Sequence, residues 1–182
     1  QAVAELVLGL VEPSGRLPIS VPRHVGQQPT YYNQVRGQHG HRYADLTQEP
    51  LFVFGEGLSY STVEYSDLVV LDDAVALDGL VRAEVTVTNT GSRPARETAQ
   101  AYVSDLVTSV TWAQRELAAW QQVSISPGES VRVQLEIPGA SCSLVDADGR
   151  RVVEPGDFEL LVGPSSRTAD LLRVPFTLAA GR

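Results

Sequence analysis

A hydrophobic period of two, repeated at short intervals through the second half of the chain, limits its fold more than any other feature. Val81, Ala83, Val85 and Val87 alternate with polar residues and run into the turn-forming Asn89-Thr90-Gly91. Ala99, Ala101 and Val103 repeat the alternation, the stretch 115–124 follows, and Pro127-Gly128 turns the chain. Val131, Val133, Leu135 and Ile137 make the cleanest alternation of all. Asp146-Ala147-Asp148-Gly149 and Pro155-Gly156 are further turn signals, and Phe158, Leu160, Val162 and then Leu172, Val174, Phe176 close the series. Successive side chains of a strand point to opposite faces, so each run makes one apolar and one polar face. Seven or eight such strands over roughly 115 residues predict an antiparallel β-sandwich of immunoglobulin-like or fibronectin type III-like kind across residues 62–182. The single cysteine, Cys142, excludes the disulfide of antibody domains and is expected as a small buried residue on a strand.

The first 61 residues read differently. Residues 1–12 are helix-friendly but too densely apolar for a surface helix, and Pro13-Ser14-Gly15 ends them. Arg16 to Pro22 alternates and suits a short edge strand, given its two prolines. Helix, turn and edge strand cannot enclose a core by themselves, so residues 1–22 are expected to be the tail end of an α/β domain. Residues 23–61 show little periodicity but many aromatics: with Tyr65, 35 consecutive residues hold seven of the chain's twelve. A disordered linker is poor in aromatics. This one is expected to lie ordered against a neighbouring surface.

Charge narrows the partners. The net charge is -8, of which residues 61–182 carry -7 from ten Arg and seventeen acids. Such a surface repels phosphate backbones and anionic lipid, which argues against nucleic acid and membrane. No apolar run approaches a membrane span. Met is absent, so a sequence starting at Gln1 reads as a fragment or a processed piece of a longer chain. It assigns no compartment, cytoplasmic or secreted, because a signal peptide would precede these residues.

No constellation of side chains announces an active site. Asp146 and Asp148 sit in a hairpin-turn sequence where Asp serves backbone hydrogen bonds, and Asp72-Asp73 reads as a solvated loop. His39-Gly40-His41 lacks the further ligands that a structural zinc site needs, so no metal is expected. Ser59 lacks the flanking glycines of a nucleophile elbow, and Gly55-Glu56-Gly57 lacks the third glycine of a dinucleotide fingerprint. Trp112 and Trp120 are candidates either for a sugar-stacking platform or for ordinary core and sheet-face positions.

Four segments in order carry a resemblance: Pro13-Ser14-Gly15-Arg16-Leu17-Pro18 with Pro22-Arg23, then Tyr31-Tyr32-Asn33, then Glu49 to Tyr60 (EPLFVFGEGLSY), then the sandwich. Together they resemble the C-terminal part of family 3 glycoside hydrolases, the β-glucosidase and β-xylosidase group. The sandwich adds similar phrases in Val85 to Gly91, Arg115-Glu116-Leu117, Ser126 to Glu129 and Val153 to Gly156. The family often has an aromatic residue or His where Glu56 stands here.

The resemblance implies a three-part parent enzyme: a barrel supplying an Asp nucleophile, an α/β domain supplying a Glu acid/base, and a terminal fibronectin type III-like domain. Both carboxylates belong upstream, so Glu5, Glu12, Glu49 and Glu56 inherit no catalytic role and this chain is expected to carry no catalytic residue. The parent is a retaining exo-glycosidase acting on terminal β-D-glucosyl or β-D-xylosyl residues of oligosaccharides or glycosides, without metal or organic cofactor. Its remaining domains are this chain's expected partners. The loop His41-Arg42-Tyr43 resembles one that lies toward the domain interface, where Arg42 would hydrogen-bond a carboxylate and Tyr43 stack on a sugar at the pocket rim; packing between domains is the other reading. Phe52, Phe54 and Leu58 are expected to point into the junction with the preceding domain. The alternative is a stand-alone carbohydrate-binding or Ig-like structural module without catalysis. Neither accounts for residues 1–60.

Overall fold

A computed structural model of the protein describes residues 1–35, 45–72 and 74–180. Ten strands carry the fold: β1 (Val63–Val70), β2 (Val75–Ala76), β3 (Leu80–Asn89), β4 (Ala95–Asp105), β5 (Glu116–Ile125), β6 (Ser130–Pro138), β7 (Leu144–Val145), β8 (Arg151–Val152), β9 (Gly156–Gly163) and β10 (Leu172–Ala179). They form a three-stranded sheet ordered β1-β3-β6, a five-stranded sheet ordered β2-β10-β9-β4-β5, and the small β7-β8 hairpin. All pairings are antiparallel except the short β2-β10 contact, which is parallel. The molecule is mainly β, and its body is the sandwich expected from the alternation.

The apolar face of each run points into one core. Val81, Val85 and Val87 of β3 and Val133, Leu135 and Ile137 of β6 meet Ala99, Ala101, Leu160, Val162 and Phe176 of the facing sheet. Phe158 and Phe176, directly opposed on β9 and β10, stack with ring centroids 5.3 Å apart. Burying one such Val, Leu, Ile or Phe side chain stabilises by about 1.5–3 kcal/mol, so this shared core dominates the fold's stability. The Asp146–Gly149 turn joins β7 to β8: Asp146 Oδ1 accepts from the Asp148 and Arg150 amides at 3.0 and 2.8 Å, and Gly149 takes φ 78°.

Three expectations need correction. Cys142 is buried, but it ends a 3-10 turn (Gly139–Cys142) and does not lie on a strand; burial pushes its thiol up to about 12. Arg16 to Pro22 forms no sheet strand. It makes a single bridge, Val21 to Phe52, within an irregular pairing to residues 51–56. The first helix, α1, covers only Ala2–Val7. Strand β1 had no clean alternation to reveal it, because Asp67 adopts φ 52° and the register to β3 shifts between Ser66 and Val69. A bulge puts two residues against one and breaks the period of two.

Candidate functional site

The most organised feature outside the core is a seam where residues 15–35 and 51–61 lie on the outer face of the five-stranded sheet. Its backbone frame is local: the Leu17 amide donates to the Glu56 carbonyl (2.9 Å), the Gly55 amide to the Leu17 carbonyl (2.8 Å), and the Val21 amide to the Phe52 carbonyl (2.8 Å). Gly55 is required where it stands. It has φ 79°, and a Cβ there would fall 2.0 Å from Gln100 Oε1. The buried Gln100 amide donates to the Gly55 and Pro164 carbonyls and accepts at Oε1 from the Tyr102 hydroxyl (2.7 Å), so one β4 side chain fastens two loops. The Ser166 amide donates to the Phe54 carbonyl at 2.9 Å, closing the same corner.

Aromatics fill the space between. Phe54 and Tyr32 stack at 4.0 Å with an interplanar angle of 16°, and Tyr32 meets Tyr102 edge-on at 6.0 Å. Tyr32 Oη accepts from the Leu117 amide at 3.2 Å. These rings form a second, smaller core with Leu117, Leu161 and Leu171. Phe54 therefore packs onto the sandwich itself, whereas Phe52 and Leu58 are exposed. The expected common direction for these three residues is thus corrected: local pairing to residues 17–21 rotates Phe54 inward alone.

The electrostatic centre of the seam is Arg16. Its Nη2 lies 2.7 Å from Glu97 Oε2 on β4, and the Tyr65 hydroxyl of β1 donates to the other carboxylate oxygen at 2.8 Å. Glu97 is only 4% exposed. Burial disfavours its charged form and raises its pKa; Arg16 and the Tyr65 hydrogen bond pull the other way and do not fully compensate. Tyr65 is likewise held well above the ordinary phenol value by burial and by the adjacent carboxylate. Further out, Glu56 pairs with Arg167 (2.7 Å) and accepts from the Val53 amide, so the family's variable position makes a local contact here. Glu12 accepts from the Ser59 hydroxyl and the Tyr60 amide, while Arg93 donates to the Gly9 carbonyl and sits 5.1 Å over the Tyr60 ring.

Each residue singled out in the sequence has a definite place or falls outside the described residues. Arg42 and Tyr43 fall outside, as do His39, His41 and Asp73. His24 accepts the Gly26 amide and caps its own 3-10 turn. Asp72 is bound by Arg82. Trp112 is half-buried and donates to Glu116, whereas Trp120 stands 64% exposed on β5. Among the described residues, no group of three or more His, Cys, Asp or Glu is arranged to hold a metal, and no helix is long and apolar enough to cross a membrane. The seam carboxylates Glu97 and Glu56 hold Arg16 and Arg167 as structural partners: the arrangement clamps. Gln100 and Tyr102 were not legible as site residues, because only the docked segment makes their outward face an interior; Glu97 shares the face of Ala99 and Ala101, and nothing local shows that Arg16 and Tyr65 meet it there.

Fold and seam define a fibronectin type III-like β-sandwich with a preceding segment clamped on its outer face. Residues 1–60 match the model of the glycosyl hydrolase family 3 C-terminal domain, and residues 97–166 match that of the fibronectin type III-like domain. The chain belongs to the family 3 glycoside hydrolases, to whose C-terminal region it corresponds. Similar proteins include a β-xylosidase of Formosa agariphila, 36% identical over 97% of this chain and 25% of that protein. A periplasmic β-glucosidase of Salmonella typhimurium is 34% identical over 91% of this chain and 23% of that protein. Among solved structures, a β-glucosidase involved in saponin metabolism from intestinal bacteria superposes with a TM-score of 0.93 at 56% identity, over 98% of this chain and 24% of that one. The Listeria innocua β-glucosidase in complex with glucose gives 0.88 at 30% identity, over 98% and 26%. The chain thus spans about a quarter of the length of these relatives.

Proposed function

We propose that this chain is the C-terminal scaffold of a retaining, exo-acting β-glycosidase that hydrolyses terminal β-D-glucosyl or β-D-xylosyl residues of oligosaccharides or glycosides. The nucleophile and acid/base carboxylates lie in the barrel and α/β domains of that enzyme, which are its partners. In this reading residues 1–22 finish the α/β domain, residues 23–61 link, and residues 62–182 are the fibronectin type III-like domain. The observation that carries the reading is the seam: its buried Arg16–Glu97 pair ties the preceding segment to the sandwich in one orientation, while the exposed apolar residues Val3, Val7, Leu8, Leu10 and Leu58 stay available to a further surface. A clamp of this kind transmits position, which is what assembly of one active site from several domains needs.

Arg42 and Tyr43 are assigned to the rim of the parent's pocket, Arg42 toward a carboxylate and Tyr43 toward a sugar face. The test is kinetic. In the complete enzyme, Arg42→Ala and Tyr43→Ala raise KM for an aryl β-glucoside or β-xyloside without lowering thermal stability, and the isolated chain turns over neither substrate. Turnover by highly purified chain, abolished by changing one of its own acids, overturns the scaffold assignment. A carbohydrate-binding module is less well supported, since Trp112 is half-buried and engaged with Glu116 and leaves Trp120 as the single exposed tryptophan.

A further inference from the structure

One flank of the sandwich ends in an unguarded strand. The two larger sheets terminate in β1 and β6 and in β2 and β5, each paired on one side only. Such edges offer free backbone donors and acceptors to any further strand, and proteins guard them with charge, proline, bulges or brevity. β1 carries Glu64 and the bulge at Asp67, β6 carries Arg132, Glu136 and Pro138, and β2 is two residues long. β5 differs. It is ten residues long, and residues 117–128 hold no charged side chain and no proline before Pro127. Its one irregularity, the register shift at Ala118, leaves Ala119 to Ile125 in regular pairing with β4. Away from β4, among the described residues, the backbone of residues 118–124 is engaged only at the Gln122 carbonyl, by the Gln121 side chain. The ends of the strand are closed, the Leu117 amide by Tyr32 and the Ile125 carbonyl by Asn89.

Beside this edge runs a groove of about 530 Å³, lined among others by Ala119, Gln121 and Val123 of β5 and by Val133 and Leu135 of β6. Trp120 and Gln121 are exposed. Charge selects the partner. A net charge of -8 holds copies of this chain apart wherever charged surfaces meet, so two copies approach best along a run that carries none. The run is also self-complementary. A second β5 laid antiparallel about Gln121 sets Ala119 opposite Val123 and Trp120 opposite Gln122. Opposed residues of paired strands share a face, so apolar meets apolar on the groove side and indole meets amide on the other. We propose that two copies of this chain pair antiparallel along β5, about a two-fold axis at Gln121, joining their five-stranded sheets into one continuous sheet. A closed two-fold contact of this kind consumes the open edge of both copies and leaves none for further growth.

Sedimentation equilibrium of the 182-residue chain tests the pairing. The expected result is a monomer–dimer equilibrium that tightens with added NaCl, because salt screens the net repulsion. Gln121→Lys and Gln121→Glu each place two like charges at the axis and weaken dimerisation at least about tenfold, with urea midpoints unchanged. Mixed in equal amounts, the two variants pair with each other at least about tenfold more tightly than either pairs with itself. A wild-type chain that stays monomeric at every soluble concentration overturns the proposal. So does a dimer that survives both substitutions and is dissolved instead by Val7→Asp, since the exposed apolar residues of α1 then hold it. The complete enzyme supplies the last comparison: it too dimerises, and Gln121→Lys separates it. A complete enzyme that is monomeric, or whose dimer ignores Gln121→Lys, assigns the edge to another of its domains and also refutes the pairing, while the scaffold reading stands.

Discussion

Removing Arg16 tests the seam most directly. Arg16→Met keeps the apolar stem and deletes the charge, leaving the Glu97 carboxylate facing Tyr65 with no counter-ion at a site where the acid side chain is 5% and the Arg side chain 11% exposed. At the effective dielectric of about 20 that suits protein sites, a contact pair attracts by ~4 kcal/mol. Breaking a buried pair at one end typically costs about 3–5 kcal/mol, since the remaining charge keeps its desolvation penalty. The loss is local first: the segment that Arg16 anchors undocks before the sandwich melts. Hydrogen exchange of the Gly55 and Ser166 amides, whose acceptors are the Leu17 and Phe54 carbonyls, reports it together with urea denaturation. The expected result is faster exchange at both amides and a stability loss of about 3–5 kcal/mol at pH 7, capped at the docking free energy. Arg16→Met/Glu97→Gln recovers most of it. A single variant within about 0.5 kcal/mol of wild type, or a double variant no better than the single, refutes the buried-pair argument.

Other perturbations follow from the same geometry. Because the folded pKa of Glu97 is raised, its contribution is fully present below the unfolded carboxyl value of about 4.3 and is lost as pH rises through the folded value. Wild type therefore loses stability relative to Glu97→Gln over that window, as measured by urea midpoints against pH. Gly55→Ala forces a side chain onto φ 79° and displaces Gln100, and costs about 2 kcal/mol or more in equilibrium unfolding. Phe54→Ala removes a half-buried stacked ring and costs about 2 kcal/mol, less than the 3–5 of a fully buried Phe, read from the same unfolding curves. Cys142, buried with its thiol pushed up to about 12, stays unreactive to a thiol reagent at pH 8 until denaturant exposes it.

The sandwich was legible because its signal is local. Val81 to Val87 and Val131 to Ile137 each state in four apolar positions which face is interior, and the structure pairs these two runs in register across β3 and β6. The aromatic and glycine-rich signature was equally legible as a family mark, and Glu56 as a departure from it. The tertiary structure decided what the signature is for. Gln100 occupies an outward position on β4 and reads in sequence as solvated; it becomes buried because a segment 45 residues away lies over it, whereas Glu97 shares the face of Ala99 and Ala101 and is met there by Arg16, 81 residues away. Burial of a polar group is settled by what covers it, and that depends on contacts with no trace in the local pattern. Strand β1 was hidden for a related reason: a single bulged residue, Asp67, breaks the period while leaving the pairing to β3 intact on either side. Side-chain period is a property of a few consecutive residues and survives in sequence, whereas the Arg16–Glu97–Tyr65 cluster exists only once three distant segments have been brought within hydrogen-bonding distance.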